Sequence, residues 1–418
     1  MEPWARYACA AVALFALAGC VPGRAAIEPT APDGRFVQDR FAIGLWVDPP
    51  MDERADGRYA ELAGAHFSMV IGGFGARTPE DVEKQLELCA RYDMKAVVKC
   101  TGVPAEKLAV SSACWGYSLR DEPNAAEFGR LRKQVDAIRA ARPGKLVYIN
   151  LFPNYASPEQ LGTATYDEYV ARFVDEVDVD VLSMDHYPIF KPGADGRAAY
   201  CANLEVMRKC ALERCIPFWN FFNTMPYGHH TDPTEAQLRW QVFTSLAYGA
   251  KGVMYFCYYT PAGGEFPKGG AIISRDDRRA NHYYQARRIN QQLKNLGPTL
   301  MQLTSTGVYR ITPEDNPARI LAGSPIPNIV HSPHDPKPDY LVGVFRHTDG
   351  RRAVLLNNYR FAYAAWPTVE FDADLSNVIE VDKWSGKEVP VVDGSPDMDG
   401  LQLPLDAAEG RLFLLACD

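Results

Sequence analysis

The feature that most constrains this chain is an alternation between short apolar runs and amphipathic helical patterns. The runs are Phe41–Val47, Phe67–Phe74, Lys95–Thr101, Cys114–Leu119, Leu146–Leu151, Val179–Met184, Pro217–Phe222 and Gly252–Tyr258. Each has strand length and is apolar on both faces, the pattern of a parallel sheet covered by helices. Helix starts follow several of them. Thr78-Pro79 offers an N-cap with Pro in the first turn, Asn124 with Glu127 a capping box, and Asp232-Pro233 with Glu235 a third start. No Gly-rich phosphate turn follows the first run, which removes the main reason to read an open doubly wound sheet. Eight such units predict a (β/α)8 TIM barrel over residues 39–300.

Beyond residue 300 the texture changes. Thr306–Thr312, Leu341–His347, Arg351–Asn357, Thr368–Phe371, Val378–Trp384 and Arg411–Ala416 are short runs separated by turn residues, and Asp349-Gly350 is a hairpin signal. Residues 301–418 are predicted to form a C-terminal all-β sandwich, with Pro325 to Pro338 as a long exposed loop.

The first twenty residues look like an export signal. Arg6 precedes an apolar run from Ala8 to Gly19, too short to span a bilayer, and Leu17-Ala18-Gly19-Cys20 resembles a bacterial lipobox. The expectation is a lipoprotein signal over 1–20, lipidation at Cys20, a tether over 21–38, and a membrane partner through the lipid anchor. Val21 and Pro22 are not an inner-membrane retention signal, so the outer membrane is the expected location. With 44 basic and 52 acidic residues the formal charge is −8, and no Lys/Arg cluster points to nucleic acid. A neutral substrate fits better. Of ten cysteines, Cys100, Cys114 and Cys257 lie in apolar runs as small buried hydrophobes, while Cys201, Cys210 and Cys215 could include one bridge. His229-His230 and His331-x-x-His334 lack a carboxylate at ligand spacing and read as surface histidines, so neither a metal nor another cofactor is expected.

In a barrel of this kind reactive groups collect at the C-terminal ends of the strands. The first run carries Trp46 and leads into Asp48. The fourth ends in Arg120-Asp121-Glu122-Pro123, and the fifth runs into Asn150, Asn154 and Tyr155. The sixth ends in Asp185-His186-Tyr187-Pro188. The seventh offers Trp219, Asn220 and Asn223; the eighth offers Tyr255 and Tyr259, followed by Glu265. Acidic residues before a helix stabilise its N-terminus, which accounts for one carboxylate at Asp121-Glu122 better than for two. A Glu beside an Asp and partly buried has a raised pKa and can donate a proton. Aromatic rings and fixed amides from several strands are the two kinds of group that sugars need, apolar faces to stack on and partners for hydroxyls.

Gly116-Tyr117-Ser118-Leu119-Arg120-Asp121-Glu122-Pro123, Tyr148-Ile149-Asn150-Leu151-Phe152-Pro153 and Asp185-His186-Tyr187-Pro188 together resemble the clan A glycoside hydrolases. More narrowly they are similar to β-galactosidase-like lipoproteins of polysaccharide-degrading bacteria, and Ala247 to Phe256 is similar to the last helix and strand of that barrel. The resemblance implies hydrolysis of O-glycosyl bonds in a carbohydrate substrate, with Glu122 as the acid/base. Two departures stand out: the clan usually has Asn where this chain has Asp121, and the seventh run holds no carboxylate for the clan's nucleophile. Asp185 is the favoured second carboxylate, with Glu265 and Asp48 as other candidates. Trp46, Asp48, Asn150, His186, Tyr187, Trp219, Asn220, Tyr255, Tyr259 and Glu265 are the expected substrate contacts. Asp121 beside Glu122 also resembles the pair of substrate-assisted hexosaminidases, in which the Asp orients an acetamido nucleophile. The contrasting class is a non-catalytic carbohydrate-binding protein on a degenerate barrel.

Overall fold

The computed structural model describes residues 33–330, 338–397 and 400–416. The signal segment, the lipidation site Cys20, most of the tether and His331-x-x-His334 lie outside the described residues. Eight parallel strands form the first sheet: β1 (Ala42–Leu45), β2 (Met69–Ile71), β3 (Lys95–Lys99), β4 (Cys114–Asp121), β5 (Leu146–Leu151), β6 (Leu182–Asp185), β7 (Phe218–Asn223) and β8 (Gly252–Phe256). Every run read as a strand overlaps one, and β4, β6 and β7 extend one or two residues beyond their runs. The order β1-β8-β7-β6-β5-β4-β3-β2 bends the sheet nearly into a closed ring. Ser68 spans the seam: its N–H donates to the Ile43 carbonyl at 2.9 Å and its Oγ accepts from Ile43 N–H at 2.8 Å.

Local chemistry accounts for the helix starts. Thr78 and Asn124 each close a capping box, with Asp81 and Glu127 respectively. The third start differs in one respect. Its cap is Thr234 with Gln237, two residues beyond Asp232, whose carboxylate instead accepts from His282 Nε2 at 2.8 Å.

Strand parity sorts the side chains. Trp219 and Phe221 of β7, Met254 and Phe256 of β8, and Leu146 and Tyr148 of β5 belong to the central core of the ring. Their alternate neighbours pack outward against the helices. Trp115, Tyr148 and Trp219 stack at the ring's N-terminal end, with centroids 5.9 to 6.1 Å apart. Trp219 Nε1 donates to Gln38 Oε1, upstream of β1, at 3.0 Å. The barrel has an aromatic floor.

The C-terminal part is antiparallel. One six-stranded sheet comprises β9 (Leu303–Ile311), β11 (Tyr340–His347), β12 (Arg352–Asn358), β14 (Val378–Val381), β15 (Glu388–Pro390) and β17 (Gly410–Leu415). A second comprises β10 (Asn328–Val330), β13 (Thr368–Glu370) and β16 (Leu401–Gln402). Ile329, Val369 and Leu401 of the smaller sheet share a core with Val342, Val354, Leu356 and Phe413 of the larger. The strand β10 falls inside the segment expected to be a loop. Strands β12 and β11 lie on the helix Glu235–Ala247, where Asn357 Nδ2 donates to the Phe243 carbonyl at 2.8 Å. Among the described residues no disulfide forms, so Cys201, Cys210 and Cys215 contain no bridge.

Candidate active site

The C-terminal ends of β4, β5 and β6 bring three carboxyl groups to one place. Asp121 pairs in register with Asn150, and Asn150 with Ser183. Asn150 Nδ2 donates to Asp185 Oδ1 at 2.9 Å and to Asp121 Oδ1 at 3.3 Å. The amide is itself held, because Ser183 Oγ donates to Asn150 Oδ1 at 3.0 Å and lies 2.9 Å from the Tyr148 hydroxyl. Glu122 follows Asp121 with φ +45°, and its N–H donates to the Asn150 carbonyl at 2.9 Å. A left-handed Glu is strained, the kind of cost that persists at functional sites.

The electrostatics follow from crowding. Burial pushes Glu122 up to about 7, Asp121 adds to the rise, and Arg120 opposes it. Asp185 is raised well above the carboxylate range, by burial first and then by Glu122 and Asp121, against hydrogen bonds from Asn150 and Tyr187. Asp121 is also raised by its surroundings, with the Asn150 hydrogen bond opposing. Arg120 is tied to Glu127 by two bonds of 3.0 and 3.2 Å, which limits how far it can neutralise the cluster. Three carboxyls so placed cannot all ionise near neutral pH, and the site keeps a proton to give.

Around the carboxyls stand aromatic rings. Tyr187 packs 5.1 Å from Phe256 and edge-on to Tyr227 and His230 at 6.0 Å. Trp46 meets Phe221 and the exposed Phe74 edge-on at 5.8 and 5.4 Å. Tyr155 is half exposed, and both Asp185 and Glu122 act on its hydroxyl. Exposed Glu265 acts on Tyr227 from the loop after β8, a loop organised by Arg275, which donates to the carbonyls of Pro261, Gly263 and Phe266. Grooves of about 540 Å³ lie at the barrel floor, and one of about 590 Å³ lies on the flank beside the end of β4, lined by Leu119, Arg120 and Glu127.

Six of the expected substrate contacts lie elsewhere. His186 has the opposite parity to Asp185; it is buried between Tyr155 and Tyr200, and its Nδ1 lies 3.0 Å from Asn203 Oδ1. Burial lowers its pKa to about 4, so it stays neutral. Asn220 and Tyr255 also face the helices: Asn220 Nδ2 donates to Tyr200 OH and Ser245 Oγ, and Tyr255 OH to Asn290 Oδ1. Trp219 has the right parity but belongs to the floor. Asp48 is 1% exposed and accepts from the N–H groups of Phe74, Gly75 and Ala76 and from Gln85, so it builds the loop after β2. Tyr259 OH donates to Asp277 Oδ1 at 2.7 Å, within an ion cluster with Arg58 outside the mouth. Conversely Tyr227, His230, Phe256 and Phe266 join the aromatic wall. His230, expected at the surface, is half-buried and stacks on Phe190 at 4.9 Å. The parity of Phe221 and Phe256 was a usable signal; Tyr227, His230 and Phe266 sit in loops where no periodicity points inward.

Residues 124–296 match the family model described as beta-galactosidase, glycoside hydrolase family 42. The barrel fold is shared with solved beta-galactosidases. Its fold resembles a GH42 beta-galactosidase from G. stearothermophilus, at 10% identity and a TM-score of 0.55, over 91% of this chain and 100% of that one. A beta-galactosidase from Bacillus circulans sp. alkalophilus is similar at 11% identity and a TM-score of 0.55, over 90% and 99% of the two chains. Against the beta-galactosidase of the psychrophilic Marinomonas ef1, at 13% identity and a TM-score of 0.47, 61% of this chain spans 60% of that one. No curated protein matches by sequence. The (β/α)8 barrel with its trailing β-module, and the family match over residues 124–296, agree with the clan A resemblance read from the sequence.

Proposed function

We infer that the chain hydrolyses glycosidic bonds of a neutral oligo- or polysaccharide, with Glu122 as general acid/base. The observation that carries this reading is the coupling of Glu122 to Asp121 and Asp185 at the mouth, which leaves Glu122 protonated up to about pH 7. A protonated carboxyl there can donate to the leaving oxygen as an oxocarbenium-like transition state develops. Asp185, held in orientation by Asn150 and Tyr187, shares the cluster's proton with Glu122 and serves as the second carboxylate when that proton rests on Glu122. Tyr187, Trp46 and Phe256 offer sugar faces their stacking surfaces. Mass spectrometry of a glycan panel tests the reading: wild type cleaves at least one neutral glycan and Glu122→Gln cleaves none. A panel left intact by wild type but bound by it would favour the carbohydrate-binding alternative.

The absence of a carboxylate on β7 favours a second reading, substrate assistance on an N-acetylated sugar. The strand ends in Asn223, whose buried side-chain amide makes no hydrogen bond within the protein. Asp121 would then orient the acetamido group while Glu122 acts as acid. Cleavage restricted to N-acetylated members of the panel would select this mechanism.

The lipobox-like Leu17-Ala18-Gly19-Cys20 supports export and tethering to the outer membrane by a lipid on Cys20. Metabolic labelling with a fatty acid tests that; label retained in Cys20→Ala would contradict it.

A further inference from the structure

We propose a second saccharide-binding site, separate from the carboxyl cluster, in the groove between the helix Asn281–Met301 and the β14–β15 turn. The groove holds about 250 Å³ and is lined by His66, Tyr284, Arg287, Arg288, Gln291 and Trp384. Trp384 is 58% exposed and Tyr284 is 45% exposed, two large rings left to water on an otherwise polar surface. The backbone that carries Trp384 is held in place. Asn295 Nδ2 donates to the carbonyls of Lys383 and Trp384 at 3.0 and 2.6 Å, and Asp382 accepts from the N–H groups of Trp384 and Ser385 at 3.1 Å each. Gly386 closes the turn at φ +72°, where an added Cβ would meet the Asn295 carbonyl oxygen at 3.0 Å. Tyr284 stands edge-on to Tyr283 at 5.4 Å.

Between the rings lie fixed donors. Arg288 is oriented by two bonds to Glu235, at 2.9 and 2.6 Å, and Gln291 donates to Asn295 Oδ1 at 3.2 Å. Arg287 is exposed and has no ion-pair partner among the described residues, so its guanidinium is open to a ligand. From Tyr284 to Gln291 the helix advances about 10 Å. Aromatic faces with hydroxyl-matching donors between them suit a sugar chain, because stacking on rings carried by an ordered backbone limits the ordering entropy lost on binding. Two isolated rings within a polar frame lack the contiguous apolar centre of a protein interface. Tyr284 lies in the first turn of the helix that follows the β8 loop. The choice of a saccharide rests on the chemistry read for the barrel.

The test is native electrophoresis of the full chain carrying Glu122→Gln, through gels containing a soluble neutral galactan. Retardation is expected, weakened at least fivefold by Trp384→Ala and also by Arg287→Ala, an exposed position where folding is not at risk. In the otherwise wild-type chain, Trp384→Ala should keep turnover of a small aryl galactoside within twofold and lose several-fold on the polymer. Three results would overturn the proposal: no retardation of the parent, retardation of both variants equal to that of the parent, or retardation confined to sulfated galactan and abolished by salt, the signature of a basic patch. Undiminished hydrolysis by Glu122→Gln would instead strike the catalytic reading and leave the gel result standing.

Discussion

Asn150 Nδ2 bridges two carboxylates from neighbouring strands, reaching Asp185 Oδ1 at 2.9 Å and Asp121 Oδ1 at 3.3 Å. A single amide thus sets the orientation of the two carboxyl groups coupled to Glu122. Replacing it should be costly without touching the acid itself. Hydrogen bonds to charged groups contribute roughly 1.5–3 kcal/mol, so Asn150→Ala should lose about 10- to 100-fold in kcat/KM. Steady-state kinetics on an aryl glycoside would measure this, and a loss under twofold would count against the bridge.

Stability should depend on pH through Glu122. Its carboxyl is raised from 4.5 to about 7 in the folded chain, so the folded state binds more protons than the unfolded state between those values. The associated stability is therefore complete below the unfolded value and is lost as pH rises through the folded one. Glu122→Gln removes that dependence. Its melting temperature should exceed that of wild type at about pH 8 and converge with it at about pH 4. A parallel offset at both would contradict the raised carboxyl.

Asp48 offers a contrasting case of a buried carboxylate assigned to architecture. It accepts from three backbone N–H groups and from Gln85, and burial raises its pKa against those bonds. Asp48→Ala leaves these donors unpaired and should cost about 2–4 kcal/mol of stability. Chemical denaturation reads this directly; an unchanged midpoint would show that the loop after β2 does not depend on Asp48.

Trp219 should behave as core. It is fully buried against Trp115 and Tyr148, so Trp219→Ala should destabilise by roughly 3–5 kcal/mol, whereas Phe256→Ala at the mouth should chiefly raise KM. The reverse pattern would exchange their roles.

These contrasts show where the sequence was legible. All eight barrel strands were readable because each is an apolar run bounded by turn or cap residues, and Thr78 and Asn124 cap helices as their side chains predict. The carboxyl cluster was readable because Asp121-Glu122 and Asp185 end two apolar strands. The ligand wall was less so. Asn220, Tyr255 and His186 have site-like chemistry but the outward parity, and parity needs a register that no single strand reveals. Trp219 fails differently: it faces inward at the wrong end. Tyr227 and Phe266 come from loops, whose course is set by contacts such as those of Arg275 rather than by a repeating pattern.

The most direct test of the central claim compares wild type with Glu122→Gln on aryl glycosides that differ in leaving-group acidity. If Glu122 donates the proton, the variant should lose about 10²- to 10⁴-fold on poor leaving groups, which need that proton, and far less on good ones. Wild-type activity should also fall as pH rises through about 7, where Glu122 deprotonates. A variant that keeps wild-type rates on the poorest leaving group, with an unshifted pH profile, would contradict the assignment of Glu122 as the acid.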